Sequence, residues 1–171
     1  MFQKIIGEND DVIRIMSIHK SKGLEFPVVF LSSTGKKLNM QDLNESILIH
    51  QQLGFGPKYI NYERKIEYNT LAKEALKIKS VNELISEEMR VLYVALTRAK
   101  EKLIITGTQN EADKETAEKE EIIRYSKEKL KPQTIKKYKS YLDWIQLVYL
   151  KNKEELKDVF ELQIHKQSDI N

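Results

Sequence analysis

The sequence contains no cysteine, and it has only three prolines and six glycines among 171 residues. Without cysteine the chain can form no disulfide, no thiolate zinc site and no cysteine nucleophile. No stretch approaches the roughly 18 apolar residues of a membrane-spanning helix, and the N-terminus lacks the apolar core of a signal peptide. These absences favour a soluble, cytoplasmic protein with no membrane partner.

An excess of charge of one sign is also missing. The 29 basic and 26 acidic residues leave a net charge of only +3, although charged residues make up 32% of the chain. This balance allows a nucleic-acid partner without arguing strongly for one. The length is enough to bury one core but is too short for a two-domain motor with an added nuclease.

Three short apolar runs predict the strands of a parallel sheet. They occupy residues 12–18, 28–31 and 102–106. Runs without strict alternation are typical of strands covered on both faces, as in parallel sheets. Helical patterns at residues 68–79 and 86–100 lie between the last two runs. Strands alternating with helices predict an α/β fold.

The other segments are less regular or more polar. Residues 32–69 are punctuated by glycines, which predicts long loops with one short helix at 41–50. Opposite charges at three- and four-residue spacing predict a solvated helix at 111–130. A further helix is predicted to begin at Pro132, and alternating residues predict an edge strand at 159–165.

A polar turn with the sequence HKSKGLEF, residues 19–26, directly follows the first predicted strand. In α/β folds, ligand-binding loops lie at the carboxyl ends of strands. Lysines offer point charges to phosphate, Gly23 lets the backbone approach a ligand, and Glu25 can accept hydrogen bonds from ribose hydroxyls. On composition alone a solvated polar turn remains the simpler interpretation, because short motifs often match by chance.

The second informative stretch, EEMRVLYVALTRAK, occupies residues 87–100. Ser86 is its predicted N-cap, and the acidic start and basic end complement a helix dipole. Arg98 lies near the predicted helix end, where its guanidinium could reach a phosphate as an arginine finger. Taken alone, such an arginine more often forms a surface ion pair.

In this order, the two stretches resemble motifs V and VI of the UvrD/Rep class of superfamily-one DNA helicases. That class has a strand, then HSAKGLEF, and later EExRxxYVxxTRA. Here Lys20 and Lys22 bracket Ser21, and the rest of both patterns fits.

Segments 35–43, 53–59 and 141–145 are further similar to the AddA family, the A subunits of bacterial ATP-dependent helicase/nucleases that resect double-strand breaks. The resemblance extends from residue 12 to about residue 145.

The resemblance implies a RecA-like, P-loop NTPase-type parallel sheet with flanking helices. Residues 12–109 would form most of the second motor domain. Residues 110–171 would be a helical C-terminal extension leading toward an absent nuclease domain, and residues 1–11 would be the exit from an inserted upstream domain.

The resemblance also implies roles for individual residues. In that family ATP binds between two RecA-like domains, and single-stranded DNA crosses their tops. The implied nucleotide-binding residues are Lys22, Gly23, Glu25 and Arg98. Arg98 would be the catalytic finger on the transferring γ-phosphoryl group, while Ser17 and His19 would face the DNA. A buried, hydrogen-bonded histidine is the alternative for His19.

Half of an ATPase site is absent from the sequence. It contains neither a GxxxxGK(S/T) loop nor a strand ending in an Asp-Glu pair for Mg²⁺. The glycine-rich segment 54–58 is rejected as a phosphate loop because Pro57 removes a backbone donor. The three histidines form no spaced metal set, and His50 and His165 are assigned no function. We expect ATP and Mg²⁺ to act in an intact enzyme, and the isolated chain to hold no cofactor and be inactive.

The sequence therefore supports two candidate functions. The first is the C-terminal part of an ATP-dependent DNA helicase/exonuclease subunit that processes double-strand break ends for recombinational DNA repair. It implies as partners single-stranded and duplex DNA ends, the N-terminal RecA-like motor domain of the same polypeptide, and a partner subunit of the AddB type.

The alternative is a non-catalytic module on a helicase-derived scaffold that binds single-stranded DNA or a protein. Its interaction face would be Tyr138, Tyr141 and Trp144. Packing of these aromatic residues on the α/β core is favoured, because they recur at helical spacing.

Overall fold

The computed structural model describes residues 12–126, 129–166 and 169, in which one long helix is accompanied by a parallel sheet, an antiparallel sheet and a group of C-terminal helices. The strands are β1 (Phe26–Leu31), β2 (Ile47–His50), β3 (Gly54–Asn61), β4 (Ile66–Asn69) and β5 (Ala99–Ile105). The helices are α1 (Leu71–Leu96), α2 (Ala112–Arg124), α3 (Pro132–Lys137), α4 (Tyr141–Lys151) and α5 (Lys153–Leu156). The predicted α/β class is confirmed at this level.

Strands β1 and β5 pair in parallel, with Val29 opposite Leu103 and Leu31 opposite Ile105. The strands predicted at 28–31 and 102–106 are therefore confirmed, and so is their parallel direction. One face of this sheet packs on the core through Leu31, while Phe30 on the other face is 69% exposed. The sheet is covered on one side only within the described residues.

The strand predicted at residues 12–18 is wrong. Residues 12–17 have no regular structure, and a single 3-10 helix, Ile18–Ser21, follows. Ile13 and Ile15 are 97% and 99% exposed. A strand forms only beside a hydrogen-bonded neighbour, and no described residue pairs with this segment.

Helix α1 is one continuous helix of 26 residues where two were predicted. Its N-cap is Thr70, whose hydroxyl accepts a hydrogen bond from the Lys73 amide at 3.2 Å. Ser86 is not an N-cap, since it lies within the helix and donates to the Asn82 carbonyl at 2.8 Å. The intervening residues contain neither glycine nor proline, so nothing interrupts the backbone ladder.

The second part of the segment predicted as long loops, 32–69, forms an antiparallel sheet of β2, β3 and β4. The helix predicted at 41–50 is wrong, because only Gln41–Asn44 forms a 3-10 turn and β2 follows. Gly56 was one of the glycines that led to the prediction of loops. It lies inside β3, where an added Cβ would stand 2.7 Å from the Lys73 Cα. This glycine permits close contact between sheet and helix and marks no turn.

The C-terminal part of the chain is helical, with two corrections. Helix α2 confirms a helix within the predicted 111–130, but it ends at Arg124, and its Lys119 is fully buried and not solvated. The helix predicted from Pro132 is broken into α3 and α4, because Ser140 starts a new helix as its N-cap. The strand predicted at 159–165 is wrong, and no described strand lies beside that segment.

One hydrophobic core joins β1 and α1 to the C-terminal helices. Its buried members are Leu31, Ile85, Leu92, Ala95, Tyr138, Trp144 and Leu147. Trp144 is only 5% exposed, and its indole N–H donates to the Tyr138 carbonyl at 2.9 Å. The predicted packing of these two aromatic residues on the core is confirmed. In the described ranges, no helix combines the length and apolarity needed to cross a membrane.

Candidate functional site

The two informative stretches meet at one end of the parallel sheet. Because β1 and β5 run in the same direction, the residues that precede each strand lie at the same edge. The Phe26 amide donates to the Arg98 carbonyl at 2.9 Å, which fixes this junction. The turn was predicted to lie at the carboxyl end of a first strand. That position is wrong, because the strand predicted at 12–18 does not form, and β1, which follows the turn, is the only described strand next to it.

Local hydrogen bonds shape the turn before β1. The Ser17 hydroxyl caps the 3-10 helix by accepting from the Lys20 amide at 3.4 Å. The buried Ser21 hydroxyl donates to the Ile18 carbonyl at 2.7 Å. Gly23 has a φ of +84°, a conformation that favours glycine, and open space lies where its side chain would be. The turn therefore presents its remaining side chains outward.

The outward-facing side chains include the predicted DNA and nucleotide candidates. Ser17, His19 and Lys22 are exposed, so the interpretation of His19 as a buried histidine is wrong. The Glu25 carboxylate is also exposed and forms an ion pair with Lys100 Nζ at 3.4 Å. A ligand hydroxyl at Glu25 would share the carboxylate with that lysine or displace it.

Arg98 is held by three hydrogen bonds of its guanidinium. Nε donates to the Val94 carbonyl, Nη1 to the Leu24 carbonyl and Nη2 to the Thr97 hydroxyl, each at 2.9 Å. A guanidinium has five N–H groups, so two remain for another acceptor. No carboxylate of the described residues forms an ion pair with Arg98, whose three hydrogen bonds go to two main-chain carbonyls and a hydroxyl. Arg98 links the end of α1 to the turn before β1.

Leu24 and Thr97 are site residues that sequence reasoning missed. Leu24 contributes a main-chain carbonyl, which no sequence pattern identifies. Thr97 stands beside Arg98 in the sequence, but only the geometry reveals that its hydroxyl accepts from the guanidinium.

A hydrogen bond also ties the C-terminal helices to the motif-bearing part of α1. The Tyr141 hydroxyl donates to the Glu88 carboxylate. Burial raises the pKa of Tyr141 above its ordinary value, and the hydrogen bond to Glu88 raises that pKa further. Glu88 therefore does not mark the start of a helix, as its place in the sequence suggested, but a contact between α1 and α4.

The donor set at this edge fits one side of an anionic, phosphate-bearing ligand. Lys22 has no ion-pair partner among the described residues, Arg98 keeps two N–H groups, and Gly23 leaves the backbone accessible. Segment 54–58 lies within β3, which confirms its rejection as a phosphate loop.

Known proteins are similar to this sequence over most of its length. Residues 3–110 match the family described as UvrD-like helicase C-terminal domain. A protein of Clostridium botulinum (strain Alaska E43 / Type E3), named as one of the A subunits of ATP-dependent helicase/nucleases, is 56% identical over 151 residues, which are 88% of this chain and 12% of that protein. Proteins of the same name in Clostridium novyi (strain NT) and Ruminiclostridium cellulolyticum are 51% and 50% identical, over 98% and 90% of this chain. The chain spans 12–14% of the length of these relatives.

Proposed function

Because the chain belongs to the UvrD-like helicase C-terminal domain family, we propose that it forms part of the second motor domain of an ATP-dependent DNA helicase/nuclease. Identities of 50–56% to helicase/nuclease A subunits confirm the similarity to the AddA family that the motifs predicted. Their printed names supply the proposed activity, which would belong to a polypeptide several times longer than this chain.

The open parallel sheet supports a RecA-like domain that is completed by other parts of such a polypeptide. Strands β1 and β5 have only each other as neighbours among the described residues, and Phe30 leaves one face apolar and exposed. We assign residues 12–109 to this domain and residues 110–171 to an extension toward a nuclease domain. Residues 1–11, assigned to the exit of an inserted domain, lie outside the described residues.

The observation that carries the proposal is the contact of Arg98 with the turn before β1. In the proposed site Lys22 binds phosphate oxygens, Gly23 brings the backbone close, and Glu25 accepts from the ribose. ATP with Mg²⁺ would supply the transferable γ-phosphoryl group. The two remaining N–H groups of Arg98 would neutralise charge on the γ-phosphoryl oxygens as the phosphorus–oxygen bond to ADP breaks and water takes up the phosphoryl group.

DNA would bind on the same turn. Ser17 and His19 are exposed there, close in sequence to the nucleotide candidates. A shift of this turn with the nucleotide state would change the grip on a single strand. The proposed partners are single-stranded and duplex DNA ends, the N-terminal motor domain and an AddB-type protein, and the proposed location is the cytoplasm.

The alternative, a binding module without catalysis, requires an exposed aromatic surface that the structure does not provide at the three residues proposed for it. Tyr138 and Trp144 are buried in the core, and Tyr141 is partly buried against Glu88. Base stacking needs exposed aromatic rings beside a basic groove. Tight, steeply salt-dependent binding of single-stranded DNA by the isolated chain would favour this alternative again.

The substitution Arg98→Ala in the long polypeptide tests the motor function. We expect kcat for ATP hydrolysis to fall by roughly 10³- to 10⁵-fold, as for the loss of an arginine finger, with a much smaller change in KM. The matched control is Arg124→Ala, which removes an exposed arginine at the end of α2. Near-normal turnover by the Arg98 variant would refute the assignment.

A further inference from the structure

The Thr97 hydroxyl lies between the end of α1 and the guanidinium of Arg98. We propose that Thr97 is a positioning residue. Together with the Leu24 carbonyl, it fixes the direction of the Arg98 guanidinium toward the proposed nucleotide site at the amino end of β1. The inference rests on the proposed function of Arg98 and assigns no catalytic contact to Thr97 itself.

The hydrogen bonds of Thr97 fix the direction of its lone pairs. Its hydroxyl lies 3.0 Å from both the Tyr93 and the Val94 carbonyl oxygens, so its proton is directed at the helix end. The oxygen then presents its lone pairs to Arg98 Nη2 at 2.9 Å. A hydroxyl whose donor is engaged in this way becomes a directed acceptor for the guanidinium.

Main-chain groups of the turn before β1 also hold Arg98, through both its carbonyl and its guanidinium. Its carbonyl accepts from the Phe26 amide and its Nη1 donates to the Leu24 carbonyl, both at 2.9 Å. Nε is engaged by the Val94 carbonyl. With Nε and one N–H on each terminal nitrogen used, one N–H remains on Nη1 and one on Nη2, and both can donate to phosphate oxygens.

A purely structural role for Thr97 is the competing explanation. As the C-cap of α1, its amide and hydroxyl both contact the last carbonyls of the helix. Loss of a cap alone would lower stability without changing the mobility of the Arg98 side chain. Loss of positioning would increase that mobility in a chain that is still folded.

The test compares Thr97→Val, which removes the acceptor, with Thr97→Ser, which keeps it. In the 171-residue chain we expect Thr97→Val to raise the hydrogen-exchange rate of the Arg98 guanidinium protons, measured by NMR, by about tenfold or more, as for the loss of a charge-assisted hydrogen bond. Thr97→Ser should exchange like the parent chain. Should Thr97→Val fail to fold by circular dichroism, Thr97→Ala serves as the acceptor-free variant.

A second measurement connects positioning with turnover in the long polypeptide. We expect Thr97→Val to lower kcat for ATP hydrolysis by about tenfold or more with little change in KM, and Thr97→Ser to restore it. A lower melting temperature with unchanged Arg98 exchange and unchanged kcat would overturn the inference. Normal turnover by Arg98→Ala would instead refute the proposed function, while the exchange data would still decide whether Thr97 orders the guanidinium.

Discussion

Lys119 is buried, although its charged sequence neighbours predict a solvated side chain. It lies on the most charged helix of the chain, yet it is fully buried, and its Nζ donates to Asp143 Oδ1 at 2.7 Å. Gln146 accepts a second hydrogen bond from it, and the Tyr138 ring centroid lies 5.3 Å away. The carboxylate and the amide oxygen pair with the buried ammonium group, which offsets the cost of removing its charge from water.

We expect Lys119→Met to destabilise the chain by about 3–5 kcal/mol, because it leaves the buried Asp143 carboxylate without its cation. Adding Asp143→Asn should recover part of this loss, since the amide retains a hydrogen bond to the Ser140 hydroxyl without the buried charge. Urea denaturation of both single variants and the double variant measures the coupling. Additive losses would contradict a coupled pair.

At the scale of elements, the stability of helix α1 depends on its N-cap residue. Its cap at Thr70 also ties it to the antiparallel sheet, because the Thr70 hydroxyl donates to the Pro57 carbonyl. Ser86 only returns a hydrogen bond to its own helix. The two hydroxyl residues look alike in sequence, but they differ in what they stabilise.

We therefore expect Thr70→Ala to lower the free energy of unfolding by about 1–2 kcal/mol, the usual cost of losing an N-cap. The matched variant Ser86→Ala should change it by no more than about 0.5 kcal/mol, because alanine suits the interior of a helix. Chemical denaturation followed by circular dichroism measures both. A larger loss for Ser86→Ala would indicate two helices with a break between them.

The spacing of apolar and charged residues along the sequence predicted some helices and strands correctly and others wrongly. Strands β1 and β5 and helix α2 followed their apolar or charged spacing. The strands predicted at 12–18 and 159–165 did not form, and β2 lies where a helix was predicted at 41–50. A helix satisfies its own backbone hydrogen bonds, whereas a strand needs a neighbour that sequence spacing does not identify.

At the scale of the whole molecule, the C-terminal helices share a hydrophobic core with α1 and also contact it through a hydrogen bond. The hydrogen bond from Tyr141 to Glu88 joins α4 to α1 and depends on a protonated phenol. Because the folded state raises the pKa of Tyr141 above its ordinary 10.0, it holds the phenolic proton more tightly than the unfolded chain does. The stability from this group is fully present below that ordinary pKa and is lost as the pH rises above it.

We expect the free energy of unfolding to fall between pH of about 8 and about 11, and Tyr141→Phe to reduce that fall. The decrease should not vanish, because burial raises the pKa of Tyr138 as well. Urea denaturation at both pH values measures the difference. The exposed Tyr125→Phe is the control, and an equal alkaline loss in the Tyr141 variant and the parent would contradict the prediction.

Two ordered motifs were enough to identify the family, and apolar runs that alternate with helical spacing were enough to predict the α/β class. The sequence also supplied Arg98 and the turn before β1 as candidates, since both are contiguous in the chain. Only the tertiary contacts show that no described strand precedes the turn, that Thr97 and the Leu24 carbonyl hold Arg98, and that Lys119 is buried. Each of these depends on a contact between segments distant in sequence or on the direction of a hydrogen bond, and residue spacing encodes neither.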